Sequence, residues 1–208
     1  MYKTQTNVVA IRTQKAISAA LLSLIRERPY EEVTITEICR RADVVRRSFY
    51  NNFQTKDDVV HYLINDIFRE MESRIDLKSM DVKQILLICF EFVLNSRDDL
   101  LLFYNRKLLR FAHKSITTYI TANHIQPDPD INDALNRFVD QDNVSGIHEK
   151  TLDTRAYKYI AAQISAVLIS VIETWIENGL EEPIEYMAEL TEALMYKGNG
   201  TEFRYVSL

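Results

Sequence analysis

The stretch VTITEICRRADVVRRSFYNNFQTKDDVV, residues 33–60, decides the fold because it carries two helix-start signals. Thr34 and Glu37 have capping-box spacing, in which the hydroxyl accepts the Glu37 backbone N–H and the carboxylate reaches back to the cap. Thr55 and Asp58 repeat that spacing and predict the start of a longer helix. The residues between the two starts leave room for one further short helix.

That short helix is predicted over about residues 45–52, because Phe49 and Phe53 lie four residues apart and would share one buried face. Upstream, an apolar pattern of helical period runs through residues 7–28 and stops before Pro29, which disfavours helical geometry in the residue before it. Three helices in the first 56 residues, the last two short and joined by a tight turn, indicate a helix-turn-helix.

The rest of the chain predicts an all-α protein. With 4 Gly and 4 Pro in 208 residues, few breaks interrupt the helical periodicity. The domains are expected to be a helix-turn-helix over 1–56, a helical bundle over 57–197, and a tail over 198–208. Within the bundle, the helical stretches and breaks are residues 81–96, 98–125 with a bend near Asn105, a loop over 126–150, 152–178 ending at Gly179, and 184–196.

Charge separates the two predicted domains. Residues 1–56 hold 10 Lys and Arg against 5 Asp and Glu, whereas residues 57–208 hold 15 against 25. A basic head on an acidic body indicates that the head alone meets a polyanion.

Several other classes of protein are disfavoured. No glycine precedes Gly146, which excludes glycine-rich phosphate loops from the first two thirds of the chain. Cys39 and Cys89 match no metal or disulfide spacing, and the N-terminus lacks a signal-peptide pattern, so we expect a reduced, cytoplasmic protein. The apolar run near residues 159–179 contains Glu173 and predicts a buried helix, with no membrane as partner.

The short third helix carries residue types suited to DNA. Arginine pairs with guanine and asparagine with adenine in the major groove, whereas a phenol or an ammonium suits a phosphate, and a helix start favours anions. Arg46, Arg47 and Asn51 are therefore candidate base contacts, and Tyr50 and Lys56 candidate phosphate contacts. The full set of candidate DNA-binding residues is Thr34, Thr36, Arg46, Arg47, Ser48, Tyr50, Asn51, Asn52 and Lys56. An ordinary solvated helix face is the alternative.

Residues 33–60 resemble the DNA-binding region of the tetracycline-repressor-like (TetR) family of bacterial transcription regulators. The matching positions are Thr34, Ile38, Ala42, Val44, Ser48, Phe49, Tyr50, Phe53 and Lys56, and the resemblance covers roughly residues 10–60. It implies a regulator, most simply a repressor, that binds double-stranded operator DNA as a homodimer. Two positions depart from the family pattern: Asp43 replaces the usual turn glycine, and Val45 replaces the usual small polar cap.

The resemblance also implies that the helical bundle over 57–197 is the domain that forms the dimer and binds the effector. The segment WIENGLEEPIEYMAEL is similar, more loosely, to the dimer-forming end of such regulators. The candidate dimerisation residues are Ala162, Ala166, Ile172 and Trp175, against the alternative of a monomeric core helix. Candidate contacts of a small-molecule effector, whose aromatic side chains are also typical of plain core, are Phe90, Phe103, Phe111 and Tyr157.

No cofactor, metal site or catalytic residue is expected. His61, His113, His124 and His148 lack partners at metal-ligand spacing, and no serine lies in a nucleophile motif. Two other functions remain open: a module of the same fold that acts through protein partners without touching DNA, and a helical enzyme using an aromatic pocket.

Overall fold

The computed structural model describes residues 7–76, 79–122 and 154–196, and these contain helices and connecting turns without any strand. Nine α-helices are present in these residues: α1 Val8–Glu27, α2 Ile35–Arg41, α3 Arg46–Asn52, α4 Lys56–Glu72, α5 Val82–Asn95, α6 Arg97–Asn105, α7 Arg110–Ala122, α8 Thr154–Glu177 and α9 Ile184–Tyr196. The all-α prediction is confirmed.

The chain forms two compact units. Unit 1 comprises Met1–Arg74 and Val93–Ser115, and unit 2 comprises Ile75–Phe92 and Ile116–Leu208. Unit 1 therefore contains the helix-turn-helix together with α6, and the division passes through α5 and α7. The boundary proposed from sequence at residue 56 stays a prediction, and the loop over 126–150 and the tail over 198–208 lie outside the described residues.

Helix α1 forms the centre of unit 1. Asn7 caps it by accepting the Val9 N–H at 2.9 Å. One face buries Ile17, Leu21 and Ile25 completely. Because α1 packs against α2, α3 and α4, it fixes the positions of the other helices of the N-terminal domain.

The two predicted capping boxes are both present. Thr34 caps α2 with reciprocal bonds to Glu37, and Thr55 caps α4 with reciprocal bonds to Asp58. Each box satisfies backbone donors that a helix start leaves without partners. These local contacts explain why sequence placed both helix starts correctly.

The turn between α2 and α3 uses the left-handed conformation at Asp43, whose φ is 52°. The Val44 N–H donates to the Cys39 carbonyl at 3.0 Å and the Asp43 N–H to the Arg40 carbonyl at 3.4 Å, which is the Schellman pattern. Aspartate tolerates this conformation better than most residues, so the turn forms without glycine.

A second turn of this kind separates α6 from α7. The φ of Lys107 is 56°, and the Leu108 N–H donates to the Phe103 carbonyl at 2.8 Å. Beside it, the Arg106 Nε donates to the Ile25 carbonyl at the end of α1, at 2.7 Å. The helix predicted to bend near Asn105 is therefore interrupted completely at this turn, and Arg106 caps the C-terminal end of α1.

In unit 2, α8 and α9 pack against each other and are joined by a turn at Gly179. The φ of Gly179 is 81°, and the Leu180 N–H donates to the Trp175 carbonyl at 2.9 Å. The predicted left-handed glycine at the end of the long helix is confirmed.

In the part of the chain that the structure describes, two helices are long and apolar enough to cross a membrane by length and composition alone, Val8–Glu27 and Tyr157–Glu177. Core helices of a folded domain pass the same test, and both of these contribute buried residues, including Ile17 of α1 and Trp175 of α8. We interpret both as core helices.

Candidate nucleic-acid interface

The outer face of α3 presents the predicted base-reading side chains to solvent. Arg47 and Asn51 are exposed, and Tyr50 is 46% exposed. The opposite face buries Phe49 completely, and its ring lies 5.8 Å from that of Phe53. The aromatic anchor therefore sets which face of α3 is turned outwards.

Arg46 lies across the start of α3 and links two elements of the interface. Its guanidinium is 3.4 Å from the Thr36 hydroxyl on α2 and 3.3 Å from the Tyr50 hydroxyl one turn further along α3. The bond to Tyr50 raises the pKa of the Arg46 guanidinium further above its already high ordinary value. The structure thus brings together three of the residues that sequence assigned to DNA contact.

At the start of α2, Thr34 is held by an ionic network. Its hydroxyl and backbone N–H donate to the Glu37 carboxylate at 2.8 and 3.0 Å, and Arg28 pairs with the other carboxylate oxygen at 2.6 Å. These donors, the Thr34 hydroxyl first, lower the pKa of Glu37 to about 2. The N-terminal end of α2 is therefore rigidly capped beside the exposed Thr36.

Asn52 does not join the exposed face, contrary to the sequence-based expectation. It is only 5% exposed, and its amide donates to the Ser48 carbonyl at 2.8 Å. The cause is helical geometry: Asn52 follows the buried Phe49 by three residues and shares its inward side. Ser48 is half-buried.

Lys56 also differs from its expected position. Its ammonium donates to the carbonyls of Tyr30, Glu31 and Val33 at 2.8, 3.1 and 3.0 Å. An ammonium has three donors, so these carbonyls occupy its whole hydrogen-bonding capacity. The side chain is directed into the protein, and the phosphate contact predicted for it has no support in this geometry.

Sequence reasoning missed Tyr30, which completes the surroundings of Lys56. The ammonium lies 4.3 Å from the centre of the Tyr30 ring, and the Tyr30 hydroxyl donates to the Asp57 carboxylate. Burial raises the pKa of Tyr30, and Asp57 raises it further. Tyr30 is 26 positions from Lys56 in sequence, so no local pattern could have paired them.

The candidate effector-binding aromatics lie in both units. Phe90 and Tyr157 belong to unit 2, whereas Phe103 and Phe111 belong to unit 1. Phe90 is fully buried with its ring 5.4 Å from Trp175, and the Tyr157 hydroxyl donates to the Ile120 carbonyl at 2.8 Å.

In unit 1, Phe103 is 4% exposed, and the Phe111 ring meets those of Tyr30 and His61 edge-on at 6.3 and 5.2 Å. Phe90, Phe111 and Tyr157 thus have packing or hydrogen-bonding partners within their own unit, and Phe103 is buried.

Two of the four candidate dimerisation residues are core residues of the protomer. Trp175 is 1% exposed and Ile172 is 7% exposed, so neither side chain is available to a second chain. Ala166 is exposed and Ala162 is half-exposed. The sequence identified the helix correctly as buried, but it could not tell which of two apolar faces meets the protomer's own core.

Neither cysteine is a candidate for metal binding or nucleophilic chemistry. Both are buried and free, and burial raises the pKa of Cys89 to about 12. Within residues 7–76, 79–122 and 154–196, no group of three His, Cys, Asp or Glu side chains could hold a metal ion.

An exposed basic helix held on a three-helix scaffold by a tight turn defines the helix-turn-helix class. Two family models match this chain: bacterial regulatory proteins of the tetR family over residues 17–63, and a transcriptional regulator C-terminal region over residues 101–197. The chain belongs to the TetR family of bacterial transcription regulators.

Two curated relatives align with this chain. The HTH-type dhaKLM operon transcriptional activator DhaS of Lactococcus lactis is 29% identical over 62 residues, covering 30% of this chain and 33% of the relative. The uncharacterized HTH-type transcriptional regulator YxbF of Bacillus subtilis is 23% identical over 181 residues, covering 86% of this chain and 43% of the relative. The aligned regions thus span less than half of either relative.

Several solved structures, including the following two, also align over most of the chain. The dihydroxyacetone kinase operon activator DhaS is 19% identical, with 89% of this chain and 94% of that chain covered, at a TM-score of 0.46. The fatty acid degradation regulator FadR from Bacillus halodurans is 16% identical, with 96% and 100% covered, at a TM-score of 0.48. Because both TM-scores are below 0.5, neither structure defines the fold of this chain.

Proposed function

We propose that this chain is a sequence-specific DNA-binding transcription regulator whose helix α3 enters the major groove. The observation that carries the proposal is the outer face of α3, where Arg47, Tyr50 and Asn51 are exposed above the buried Phe49. In a helix-turn-helix, the N-terminal part of the second helix contacts base edges. Arg47 is suited to guanine and Asn51 to adenine, and the Arg46–Tyr50 pair to the phosphates alongside.

The distribution of charge supports head-first docking. The ten Lys and Arg residues within residues 1–56 attract a polyanion, and the excess of acidic residues beyond residue 56 repels it. Both effects weaken as salt screens the charges, so affinity should fall steeply with ionic strength.

A homodimer is part of the proposal. One face of α8 is exposed and mostly small or polar along its length: Tyr159, Gln163, Ala166, Ser170 and Thr174. On α9, Tyr186 and Leu194 are 53% and 48% exposed, so both helices of the pair have surface that a second chain could cover. Sedimentation equilibrium tests this, with twice the mass of 24.3 kDa expected and the single-chain mass contradicting it.

The remaining parts of the proposal rest on family membership. We propose a cytoplasmic, non-enzymatic repressor whose operator affinity is modulated by a small-molecule effector bound in the helical domain beyond residue 56. Addition of candidate metabolites to the operator complex tests the effector: a change in affinity for one of them supports it, and no response to any contradicts it.

A binding selection tests the central proposal. The full chain is used to enrich duplexes from a random library, and the enriched site is measured by fluorescence anisotropy over a salt series. We expect two inverted half-sites with centres about 34–36 Å apart or a multiple of this, as two-fold symmetry requires. Retention of all sequences equally would contradict sequence-specific binding, and retention of none would favour a module that acts through protein partners without touching DNA.

A further inference from the structure

The surroundings of Lys56 give it a role in DNA binding different from the phosphate contact expected of a lysine beside a recognition helix. We propose that Lys56 is a positioning residue: it holds the turn before α2 in place, and so orients the helix-turn-helix for DNA, without contacting DNA itself. This inference rests on the proposed function.

The turn that Lys56 holds is a short 3-10 helix, Tyr30–Glu32, which connects α1 to α2. The C-terminal end of such a helix leaves carbonyls without donors, and a cation near them is favourable. The Lys56 Nζ lies within 3.1 Å of three carbonyl oxygens from residues 30–33. Charge-assisted bonds of this kind are stronger than bonds between neutral groups, so they fix the turn firmly.

The turn leads directly into the DNA-facing part of unit 1. Val33, whose carbonyl accepts from Lys56, is 2% exposed and immediately precedes Thr34, the N-cap of α2. Two residues further along, Thr36 contacts Arg46 of α3. A displacement of the turn would therefore move the start of α2 and the contact that joins α2 to the recognition helix.

Tyr30 and Asp57 make further contacts around the Lys56 ammonium. Tyr30 is 3% exposed, its ring lies 4.3 Å from the ammonium, and its hydroxyl donates to the Asp57 carboxylate. Asp57 follows Lys56 in the first turn of α4. The turn and the start of α4 are thus joined by an ammonium, a ring and a carboxylate, and these contacts hold Lys56 inward.

Arginine could not replace Lys56 in this role. Three carbonyls converge on one nitrogen, which suits the compact ammonium, whereas the planar guanidinium spreads its donors over a fork. A phosphate, by contrast, accepts arginine at least as well as lysine. A positioning role therefore predicts that Lys56→Arg weakens DNA binding, whereas a phosphate contact predicts that it does not.

The test compares Lys56→Arg and Lys56→Met with the wild-type chain on the selected operator. Dissociation constants are measured over a salt series, and circular dichroism confirms that each variant is folded at the assay temperature. Lys107→Met is the matched control, since it removes an exposed lysine outside the helix-turn-helix. If Lys56→Met does not fold, Lys56→Arg alone decides the question.

We expect both variants to bind about tenfold more weakly at every salt concentration, with an unchanged salt slope, since charge-assisted bonds that orient the turn are lost. A phosphate contact at Lys56 predicts instead that Lys56→Arg binds like wild type. It also predicts that Lys56→Met lowers the slope by about 0.9 per half-site. That outcome, or unchanged affinity in both variants, overturns the inference. If the wild-type chain itself shows no sequence-specific binding, the proposed function is contradicted. That result is distinct from any difference between the Lys56 variants and the wild-type chain.

Discussion

Lys56 and Arg46 are cations ten positions apart in the same basic segment, yet their surroundings differ completely. The Lys56 ammonium is enclosed by three carbonyls and a ring, whereas the Arg46 guanidinium lies on the surface between two hydroxyls. Residue type alone therefore does not determine where a cation of this segment lies. The deciding factor is the backbone near each side chain, because carbonyl oxygens at a helix end attract a cation, as the oxygens of a phosphate do.

Val45 is a residue whose local chemistry is suboptimal. It occupies the N-cap of α3 without a side-chain hydrogen bond and is 69% exposed. Val45→Ser should raise the free energy of unfolding by about 0.5–1 kcal/mol, because a hydroxyl would accept a backbone N–H of the first turn. Urea denaturation measures this, with Val45→Ala as the control that lacks a hydroxyl. Equal stability of the two variants would show that the first turn needs no cap.

At the scale of elements, sequence predicted most helix boundaries because the deciding signals are local. Three helices begin at a capping residue, Asn7, Thr34 or Thr55, and the long helix α8 ends at the turn that contains Gly179. Each of these signals acts through contacts within a few residues of the chain. The sequence predicted only a bend where the helix in fact ends after α6. The residue with the left-handed conformation there is Lys107, and without a glycine the sequence gives no sign of a helix end.

The exposed face of α3 was predictable in part. Phe49 gave the inward direction, and the outward positions of Arg47, Tyr50 and Asn51 follow from it. The same helical spacing indicates that Asn52 faces inward, because it follows Phe49 by three residues. The position of Lys56 was not predictable in this way, because its three carbonyl partners lie 23 to 26 positions away in sequence. The same limit applies to α8, since Trp175 faces Phe90 only once α5 and α8 have packed together.

The capping box of α2 should make stability depend on pH. The pKa of Glu37 is lowered to about 2 by the Thr34 hydroxyl, the Arg28 ion pair and the Thr34 backbone N–H. A lowered pKa means that the ionised carboxylate stabilises the folded state fully above its unfolded-state value of about 4.3. That contribution is lost as the pH falls from about 4.3 to about 2.

Glu37→Gln tests this window. The wild-type chain should be more stable than the variant near pH 6, and the difference should shrink as the pH is lowered through 4 towards 2. Thermal unfolding at a series of pH values measures it, with Glu70→Gln, an exposed glutamate on α4, as the control for loss of one charge. A difference that stays constant with pH would contradict the ionic network seen around Thr34.

At the scale of the whole molecule, the proposed two-fold operator requires two DNA-binding heads, one from each chain of the proposed dimer. The exposed Ala166 lies at the middle of the outward face of α8. Ala166→Glu should convert the proposed dimer to a monomer, because a buried interface would leave the new carboxylate desolvated without a partner. Sedimentation velocity measures the change, and Ala19→Glu, at an exposed alanine of α1, is the control. A dimer that persists in Ala166→Glu would place the interface elsewhere.

The most direct test of the account is the effect of Arg47→Ala on discrimination between base pairs. Affinities of the wild-type chain and the variant are compared on the selected operator with each base pair changed in turn, and Arg69→Ala serves as an arginine control outside the helix-turn-helix. We predict that the variant loses discrimination of about 1–3 kcal/mol at one guanine per half-site and keeps it elsewhere. Uniform weakening on every duplex, or no change on any, would contradict the assignment of α3 as the helix that reads the operator.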